Sequence, residues 1–394
     1  MPKKLYFDIA ASSPECEASK QARLSYEQNE WSGANPHSLH SYGRAAFSAL
    51  ESARSQIARA IGASRPGEVY ITSGGTEANA IALYGLTKAA LEASHGKRRR
   101  IIVSAIEHAS VLDCAKYLEQ SLGIQVDICP FKRTGIIDLD ALDSLLASDV
   151  ALVSCMYVNN EIGTIQPIGT IASKAHAYGA LMHTDAVQAL GRIDVNLSAL
   201  HVDAASFAAH KIGGPVSTGV LYVKARTPIV PLSIGGGQES GLRSGTVDVC
   251  GVLSFNAALH DFIDHKTERL AFVHGLTDYF YAHPALINHA SITFTIDPKV
   301  TPTVPGFVHL LIDGIHSEAL VLALDERGFE VSGGSACSSS SLEPSHVVTA
   351  LGIPKDLAYG SLRITFDHRT TKDDCEALIN ALITCTDTIP QRNV

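Results

Sequence analysis

The chain has 394 residues, enough for two or three domains, and its 46% hydrophobic and 18% charged residues are typical of a globular enzyme. Its formal net charge of -9 at pH 7 provides no long-range attraction for nucleic acid or anionic lipid, so neither is an expected partner. No apolar run approaches the roughly 18 residues that span a bilayer, and no secretory signal is apparent, so a cytoplasmic location is predicted.

Short apolar runs alternate with helical patterns over the first part of the chain. Strands are predicted at 68–72, 100–105, 125–129, 150–158, 180–183, 204–207 and 219–223. Helices are predicted at 77–91, 110–122, 139–146 and 170–178. This alternation favours an α/β fold with a mostly parallel sheet and helices on both faces. Ligands of such sheets bind at the carboxyl ends of the strands.

The alternation stops at residue 247, where a long amphipathic helical pattern begins and runs to about 283. Strands at 290–296, 308–312 and 362–366 and helices at 317–327 and 372–385 are predicted beyond it. The pattern predicts a second α+β domain joined through the long helix. We therefore expect a large domain over residues 15–260 and a small domain formed by residues 1–14 and 261–394.

Two polar residues that follow predicted strands suit an aldehyde cofactor. A lysine such as Lys211 condenses with an aldehyde when burial or nearby positive charge destabilises its ammonium group, although it could simply close a strand at the surface. Asp185 could keep the ring nitrogen of a pyridoxal protonated, although it could instead cap the helix that follows. Taken together, the two residues favour the cofactor.

Other candidates follow strands in the same way. The segment 72–77 (TSGGTE) joins a strand to a helix and predicts a phosphate cup of backbone N–H groups, with a plain helix cap as the alternative. His108 could lie over a cofactor ring or move protons, and Asn160 and Gln188 could donate to the phenolate oxygen of a pyridoxal. For these three, a structural histidine and ordinary turn or cap bonds remain the alternatives.

Cys337 differs from the other seven cysteines, which lie mostly in the apolar or helical surroundings typical of inert thiols. It lies in the stretch 332–341, which is rich in serine and glycine, so it should be exposed and able to swing. A thiolate that accepts sulfur needs both properties. An unreactive loop cysteine is the alternative. No CxxC pair occurs, so neither a zinc site nor a disulfide framework is expected.

The combination resembles the NifS/IscS-like cysteine desulfurases, a branch of the fold-type I pyridoxal-phosphate enzymes related to aminotransferases. The matching segments follow the family's order and spacing: TSGGTE at 72–77, EH at 107–108, VNNEIG at 158–163, DAVQ at 185–188, HK at 210–211, RSGT at 243–246, GSACS at 334–338 and SLEPSHV at 341–347. The resemblance implies a large domain with a mostly parallel seven-stranded sheet, a smaller α+β domain that carries the cysteine loop, and pyridoxal 5'-phosphate as cofactor.

The resemblance also implies a role for each matching position. Lys211 would hold the cofactor as a Schiff base and move the substrate α-proton. Cys337 would attack the sulfur of bound L-cysteine, releasing alanine and leaving a persulfide. Asp185 would pair with the pyridinium nitrogen, Gln188 would bond the phenolate oxygen, and His108 would stack on the ring.

Two further groups of residues are implied for the phosphate and the substrate. The phosphate would be bound by Gly75, Thr76 and His210. Thr246 would reach the phosphate of the neighbouring subunit, so a homodimer is expected. The substrate carboxylate would be held by Asn35, Asn160 and Arg363, the arginine offering a bidentate fork.

The chain departs from the family pattern at two places. Ala208 stands where the family commonly has a serine that contacts the phosphate, so a slightly weaker grip on the phosphate is predicted. Val216 and Ser217 replace a usual lysine and glycine, which changes one surface charge. A selenocysteine lyase, an aminotransferase-like enzyme and a non-catalytic partner-binding subunit are the competing interpretations. The sequence leaves the sulfur acceptor, in iron–sulfur cluster assembly or thio-modification, unidentified.

Overall fold

The structure, a computed structural model, describes residues 4–334 and 343–390. Its strands are β1 Leu5–Tyr6, β2 Val69–Thr72, β3 Arg100–Ser104, β4 Gln125–Cys129, β5 Val150–Ser154, β6 Leu181–Asp185, β7 Ala204–Ala208, β8 Gly219–Val223, β9 Ile292–Phe294, β10 Phe307–Ile312, β11 Phe329–Glu330, β12 Ser332–Gly333 and β13 Ser361–Thr365. Its helices are α1 Glu17–Glu27, α2 Ser41–Ala60, α3 Gly75–Ala93, α4 Ala109–Leu122, α5 Leu139–Leu145, α6 Ile168–Ala177, α7 Leu197–Leu200, α8 Val249–Ala282, α9 Pro284–Ile287, α10 Ser317–Glu326, α11 His346–Ala350, α12 Lys355–Ala358 and α13 Lys372–Thr388.

A seven-stranded sheet forms the large half of the molecule, in the order β2-β8-β7-β6-β5-β3-β4. Strand β8 runs antiparallel to both of its neighbours, and the remaining pairs are parallel. Every residue of β5, β7 and β8 is buried, as expected for strands covered by helices on both faces. Separate hydrophobic clusters cover the two faces of this sheet. The predicted α/β fold with a mostly parallel seven-stranded sheet is confirmed.

A second, antiparallel sheet lies in the C-terminal part, in the order β12-β13-β10-β9. Next to it, the N-terminal strand β1 pairs in parallel with β11. The 34-residue helix α8 contributes Phe255 and Leu259 to the main cluster of the large sheet and Val273 and Phe280 to the cluster of the second sheet. The predicted domain boundaries at residues 15 and 260 stay a prediction.

Two parts of the chain differ from the pattern-based prediction. The predicted strand at 150–158 is too long, because β5 ends at Ser154. Asn159 then accepts hydrogen bonds from the backbone of Glu161 and Ile162 and so forms a tight turn. The amphipathic helices α1 and α2 were not predicted, and both pack against α8. Within the described ranges, no helix is long and apolar enough to cross a membrane.

Candidate active site

Four candidate residues lie where neighbouring parallel strands end. Strands β7, β6, β5 and β3 are consecutive in the large sheet and run in the same direction. Lys211 lies in the short 3-10 turn after β7, Asp185 is the last residue of β6, Asn160 follows β5, and His108 follows β3. The carboxyl ends of parallel strands share one edge, so the sheet brings these side chains to one place.

A chain of hydrogen bonds joins Asp185 to His108. The Nδ2 atom of Asn79 donates to Asp185 Oδ2 at 2.7 Å and to Ser110 Oγ at 2.9 Å, and Ser110 Oγ lies 2.9 Å from His108 Nδ1. The backbone N–H of Val187 donates to the second carboxylate oxygen of Asp185 at 2.9 Å, as in a local cap. The carboxylate, buried to 5% exposure, therefore has a fixed orientation.

The Lys211 ammonium lies against the N-terminal segment. Its Nζ donates to the carbonyl oxygens of Ala10 at 2.7 Å and Ala11 at 2.8 Å. The buried side chain of Gln188 donates to the same Ala10 carbonyl at 2.8 Å, while its amide oxygen has no partner among the described residues. Lys211 and Gln188 are thus brought together through one backbone group.

The N-terminus of α3 forms the predicted cup. Gly74, at φ 145°, precedes the helix, and no side chain caps it, so its first N–H groups point out of the helix unsatisfied by a side chain. A Cβ at Gly75 would lie 2.7 Å from Val187 Cγ2, so any larger residue requires the Val187 side chain to shift. The next residue, Thr76, is exposed. This end of a 19-residue helix favours an anion.

His210 precedes the lysine in the turn after β7. Its Nδ1 lies 3.2 Å from the hydroxyl oxygen of Ser12. Burial, and then the positive charge of Lys211, lowers the pKa of His210 to about 4. The imidazole is therefore neutral at pH 7 and carries one N–H donor.

Arg363 on β13 lies buried at the junction of the two sheets. Its guanidinium donates to Asp8 Oδ1 at 2.7 Å and to the Asn160 carbonyl at 2.9 Å, while its Nε has no partner among the described residues. The Asn160 amide oxygen is likewise buried without a partner in the described part of the chain. Asn35 and Thr246 lie exposed on separate loops, outside the network that joins Asp185 to His108.

Cys337 lies outside the described residues. Among the other cysteines, burial raises the pKa of Cys114 to about 11 and of Cys129 and Cys375 to about 12. Burial also raises the pKa of Cys155 well above its ordinary value. These thiols stay protonated at neutral pH, which suits the inert role predicted for them.

The sequence interpretation assigned no role to four polar residues around the site: the buried Asn79, Glu107 and Glu161, and the partly exposed Asp8. Asn79 had a signal, because it is a lone amide among the small and apolar residues of α3. Glu161 accepts a hydrogen bond of 2.5 Å from the hydroxyl of Ser345, and burial raises its pKa to about 7. It holds the start of α11 beside the site.

Glu107 lies directly before His108 and is fully buried. Burial is the main cause that raises its pKa to about 8, and the charge of Asp185 raises it further, against the hydrogen bond from Ser104. One of its carboxyl oxygens has no partner among the described residues. A protonated carboxyl group is therefore the form that the folded protein favours at pH 7.

We expect the difference in Tm between Glu107→Gln and the wild type to shift in favour of the variant as pH rises. The folded pKa of about 8 exceeds the ordinary 4.5, so the wild type loses stability between these pH values while the variant has nothing to ionise. The gain in Tm between about pH 5 and about pH 8.5 should be a few degrees. The exposed Glu119→Gln on α4 is the control and should show no such trend. A pH-independent difference for Glu107→Gln would contradict the assignment.

Comparison with known proteins identifies the chain's relatives. The family Aminotransferase class-V matches residues 5–378. "Cysteine desulfurase IscS" of Dictyoglomus turgidum is 39% identical over 385 residues, covering 97% of this chain and 94% of the relative. A solved "NIFS-LIKE PROTEIN" superposes with a TM-score of 0.88 at 30% identity, covering 98% of this chain and 100% of that one. "SspA in complex with cysteine" gives a TM-score of 0.77 at 30% identity, covering 92% and 99%.

The chain therefore belongs to the aminotransferase class-V family, in its NifS/IscS-like cysteine desulfurase branch. The resemblance predicted from the sequence motifs is confirmed. The roles of the individual residues are the subject of the proposal that follows.

Proposed function

We propose that this protein is a pyridoxal-phosphate-dependent cysteine desulfurase that converts L-cysteine to L-alanine and holds the sulfur as a persulfide on Cys337. The observation that carries the proposal is the shared edge of the sheet, where Lys211, Asp185 and His108 follow neighbouring parallel strands. Relatives over nearly the whole chain that are named cysteine desulfurase support it.

The residues present fit pyridoxal phosphate. The α3 N-terminus with Gly75 offers backbone donors to a phosphate, Thr76 and neutral His210 offer further donors, and Asp185 offers a fixed carboxylate to a ring nitrogen. The buried Gln188 amide nitrogen uses one hydrogen on the Ala10 carbonyl and has a second hydrogen to offer to a phenolate oxygen. When bound, the cofactor supplies an electron sink for the carbanion at the substrate Cα.

The chain's own residues then bind the substrate and move protons. Lys211 would hold the cofactor through Nζ and would take the proton from the substrate Cα. His108 would cover the ring face, and Gln188 would donate to the phenolate oxygen. The substrate carboxylate is held by Asn35, Asn160 and Arg363, of which the arginine has its Nε still unpartnered in the described structure.

Sulfur transfer requires a thiolate with access to the bound substrate. The Cys337 thiolate attacks the sulfur of L-cysteine, the Cβ–S bond breaks, and the carbon fragment gains protons to leave as alanine. The products are one alanine and one persulfide, so one cysteine and one thiol are consumed without any external oxidant. The high pKa values of Cys114, Cys129 and Cys375 remove these three thiols as rivals.

The proposal includes a homodimer and a reducing location. Thr246 lies exposed on the loop before α8, where it could reach the phosphate of a neighbouring subunit. The cysteines in the described ranges are all free, as expected in the cytoplasm. The acceptor is a further protein that takes up the persulfide sulfur.

The deciding experiment is an assay of the purified protein with L-cysteine and a reductant, measuring alanine and sulfide together. Equal amounts of alanine and sulfide are expected. Keto-acid formation without sulfide would favour an aminotransferase, and release of selenide from selenocysteine with no reaction on cysteine would favour a selenocysteine lyase. A protein that binds no cofactor would be a non-catalytic relative.

We expect Ala208→Ser to tighten binding of the cofactor by a few-fold. Residue 208 ends β7 and lies next to the cup, since a Cβ at Gly75 would lie 3.7 Å from the Ala208 Cβ. A hydroxyl at this point adds a donor to the phosphate, and one hydrogen bond contributes about 1 kcal/mol. Titration of the cofactor-free protein measures the effect, with Ala208→Gly as the control that adds no donor. No tightening in the serine variant would contradict the prediction.

A further inference from the structure

We infer that Asn79 is a positioning residue that couples the carboxylate of Asp185 to the imidazole of His108. The inference rests on the proposed function, because those two side chains are the ones proposed to hold the cofactor ring. Asn79 touches neither substrate nor cofactor in this assignment. It acts through the two groups that do.

The position of Asn79 defines what it can do. It lies in the second turn of α3 at 1% exposure, on the helix face that packs against the large sheet. Both hydrogens of its amide nitrogen are used, one for Asp185 Oδ2 at 2.7 Å and the other for Ser110 Oγ at 2.9 Å. One side chain on α3 therefore bridges the end of β6 and the start of α4.

The unpartnered oxygen of the Asn79 amide shows that burial of this group lowers the stability of the folded protein. Asn79 Oδ1 is buried and has no hydrogen-bond partner among the described residues. Its helical neighbours on the buried face, Ala78, Ile81 and Ala82, are apolar, so leucine would suit the packing without leaving an orphaned acceptor. The two donors are thus what distinguishes asparagine from an apolar residue here.

The two donors fix the Asp185 carboxylate from one side. Val187 N–H holds Oδ1 and Asn79 holds Oδ2, so rotation of the carboxylate would break a hydrogen bond at each oxygen. The carboxylate is then presented in one orientation to the ring nitrogen. Preorganisation of this kind removes reorganisation from the reaction step.

The Asn79 amide also determines that the Ser110 hydroxyl acts as a hydrogen-bond donor to His108. Ser110 Oγ accepts a hydrogen from Asn79, so its own hydrogen is available to His108 Nδ1, which also accepts from the Ser110 backbone N–H at 3.1 Å. With Nδ1 as an acceptor, the neutral imidazole carries its proton on Nε2. The network thus selects both the ring position and the tautomer of His108.

The test is Asn79→Leu in the full-length protein loaded with pyridoxal phosphate. We expect kcat for alanine formation to fall about ten- to a hundredfold with little change in KM, because the loss lies in orientation of the cofactor ring. The visible circular dichroism of the bound cofactor should weaken, and the cofactor dissociation constant should rise several-fold. The Tm of the cofactor-free variant should fall by a few degrees at most, because removal of the orphaned Asn79 acceptor partly offsets loss of the hydrogen bond to the buried Asp185 carboxylate.

Thr87→Val is the matched control, because Thr87 is also fully buried on α3 and its hydroxyl has no partner among the described residues. It should leave kcat, dichroism and cofactor affinity at wild-type values. Wild-type dichroism and kcat in Asn79→Leu would overturn the inference, as would an equal loss in Thr87→Val.

If Asn79→Leu does not fold, Ser110→Ala tests the inference instead. This variant removes the hydroxyl that links Asn79 to His108, at a partly buried position. A wild-type dichroism and pH profile in Ser110→Ala would then overturn the inference. Failure of the proposed function is distinguishable, because it shows in the wild type as absence of alanine and sulfide. The dichroism and affinity of the variants test Asn79 whether or not the bound cofactor turns over L-cysteine, and a wild type that binds no pyridoxal phosphate would overturn both the proposed function and the inference.

Discussion

In Cys337→Ala, the rates of alanine and sulfide release from L-cysteine are expected to fall by at least about a hundredfold, while the variant keeps its cofactor. In the proposed mechanism this thiolate is the nucleophile that takes the sulfur, and Cys114, Cys129 and Cys375, with pKa values raised to about 11 or 12, cannot replace it. Both products should fall together, because they arise from the same Cβ–S cleavage. The measurement is a paired assay of alanine and sulfide under reductant.

Cys16→Ala is the matched control, since Cys16 is a free and only partly buried thiol. It should keep wild-type rates. Mass spectrometry after reaction without reductant should find the extra sulfur atom on the peptide that contains Cys337. Alanine formation that survives Cys337→Ala at the wild-type rate would show that the thiol is a bystander.

Lys211→Ala is expected to lose alanine formation by about a thousandfold or more, because it removes the proposed covalent attachment of the cofactor and the proposed base for the α-proton. The geometry supports both roles, since Nζ lies at the carboxyl edge of the sheet beside the Ala10 and Ala11 carbonyls. Reduction with borohydride followed by peptide mass spectrometry should find the cofactor on Lys211 in the wild type and nowhere in the variant.

Lys224→Ala is the control for a lysine that merely follows a strand. Lys224 comes directly after β8 and is exposed. This variant should retain both the cofactor adduct and full activity. A Lys211→Ala protein that still carries reducible cofactor and still forms alanine would contradict the assignment.

Much of the fold could be predicted from the sequence because its strands are short and separated by long amphipathic helices. The strands Gln125–Cys129 and Gly219–Val223 have the predicted bounds, and the long helix differs by two residues at its start. Periodicity identifies such elements because burial on two faces leaves near-continuous apolar runs. The strand at Val150 was predicted too long because apolar residues continue past its last residue, Ser154.

The candidate site was predicted less completely. Residues that follow strands, such as Asp185 and Lys211, carry a positional signal, because parallel strands present their carboxyl ends together. Asp8 carries no such signal, since it meets Arg363 only through a contact between residues 355 positions apart. The acidity of Glu107 likewise depends on burial by elements remote in sequence, which no local pattern contains.

The pairing of the N-terminal segment has a consequence for biosynthesis. Strand β1 pairs with β11, and the Ala10 N–H donates to the Thr365 hydroxyl at 2.9 Å, so the backbone that holds the Lys211 ammonium is itself held by residues near the other end of the chain. A nascent chain on the ribosome lacks these partners until residue 365 has been synthesised. Early folding of the large sheet therefore yields an incomplete lysine pocket, and capture of a cofactor becomes a late step that follows docking of the last strand.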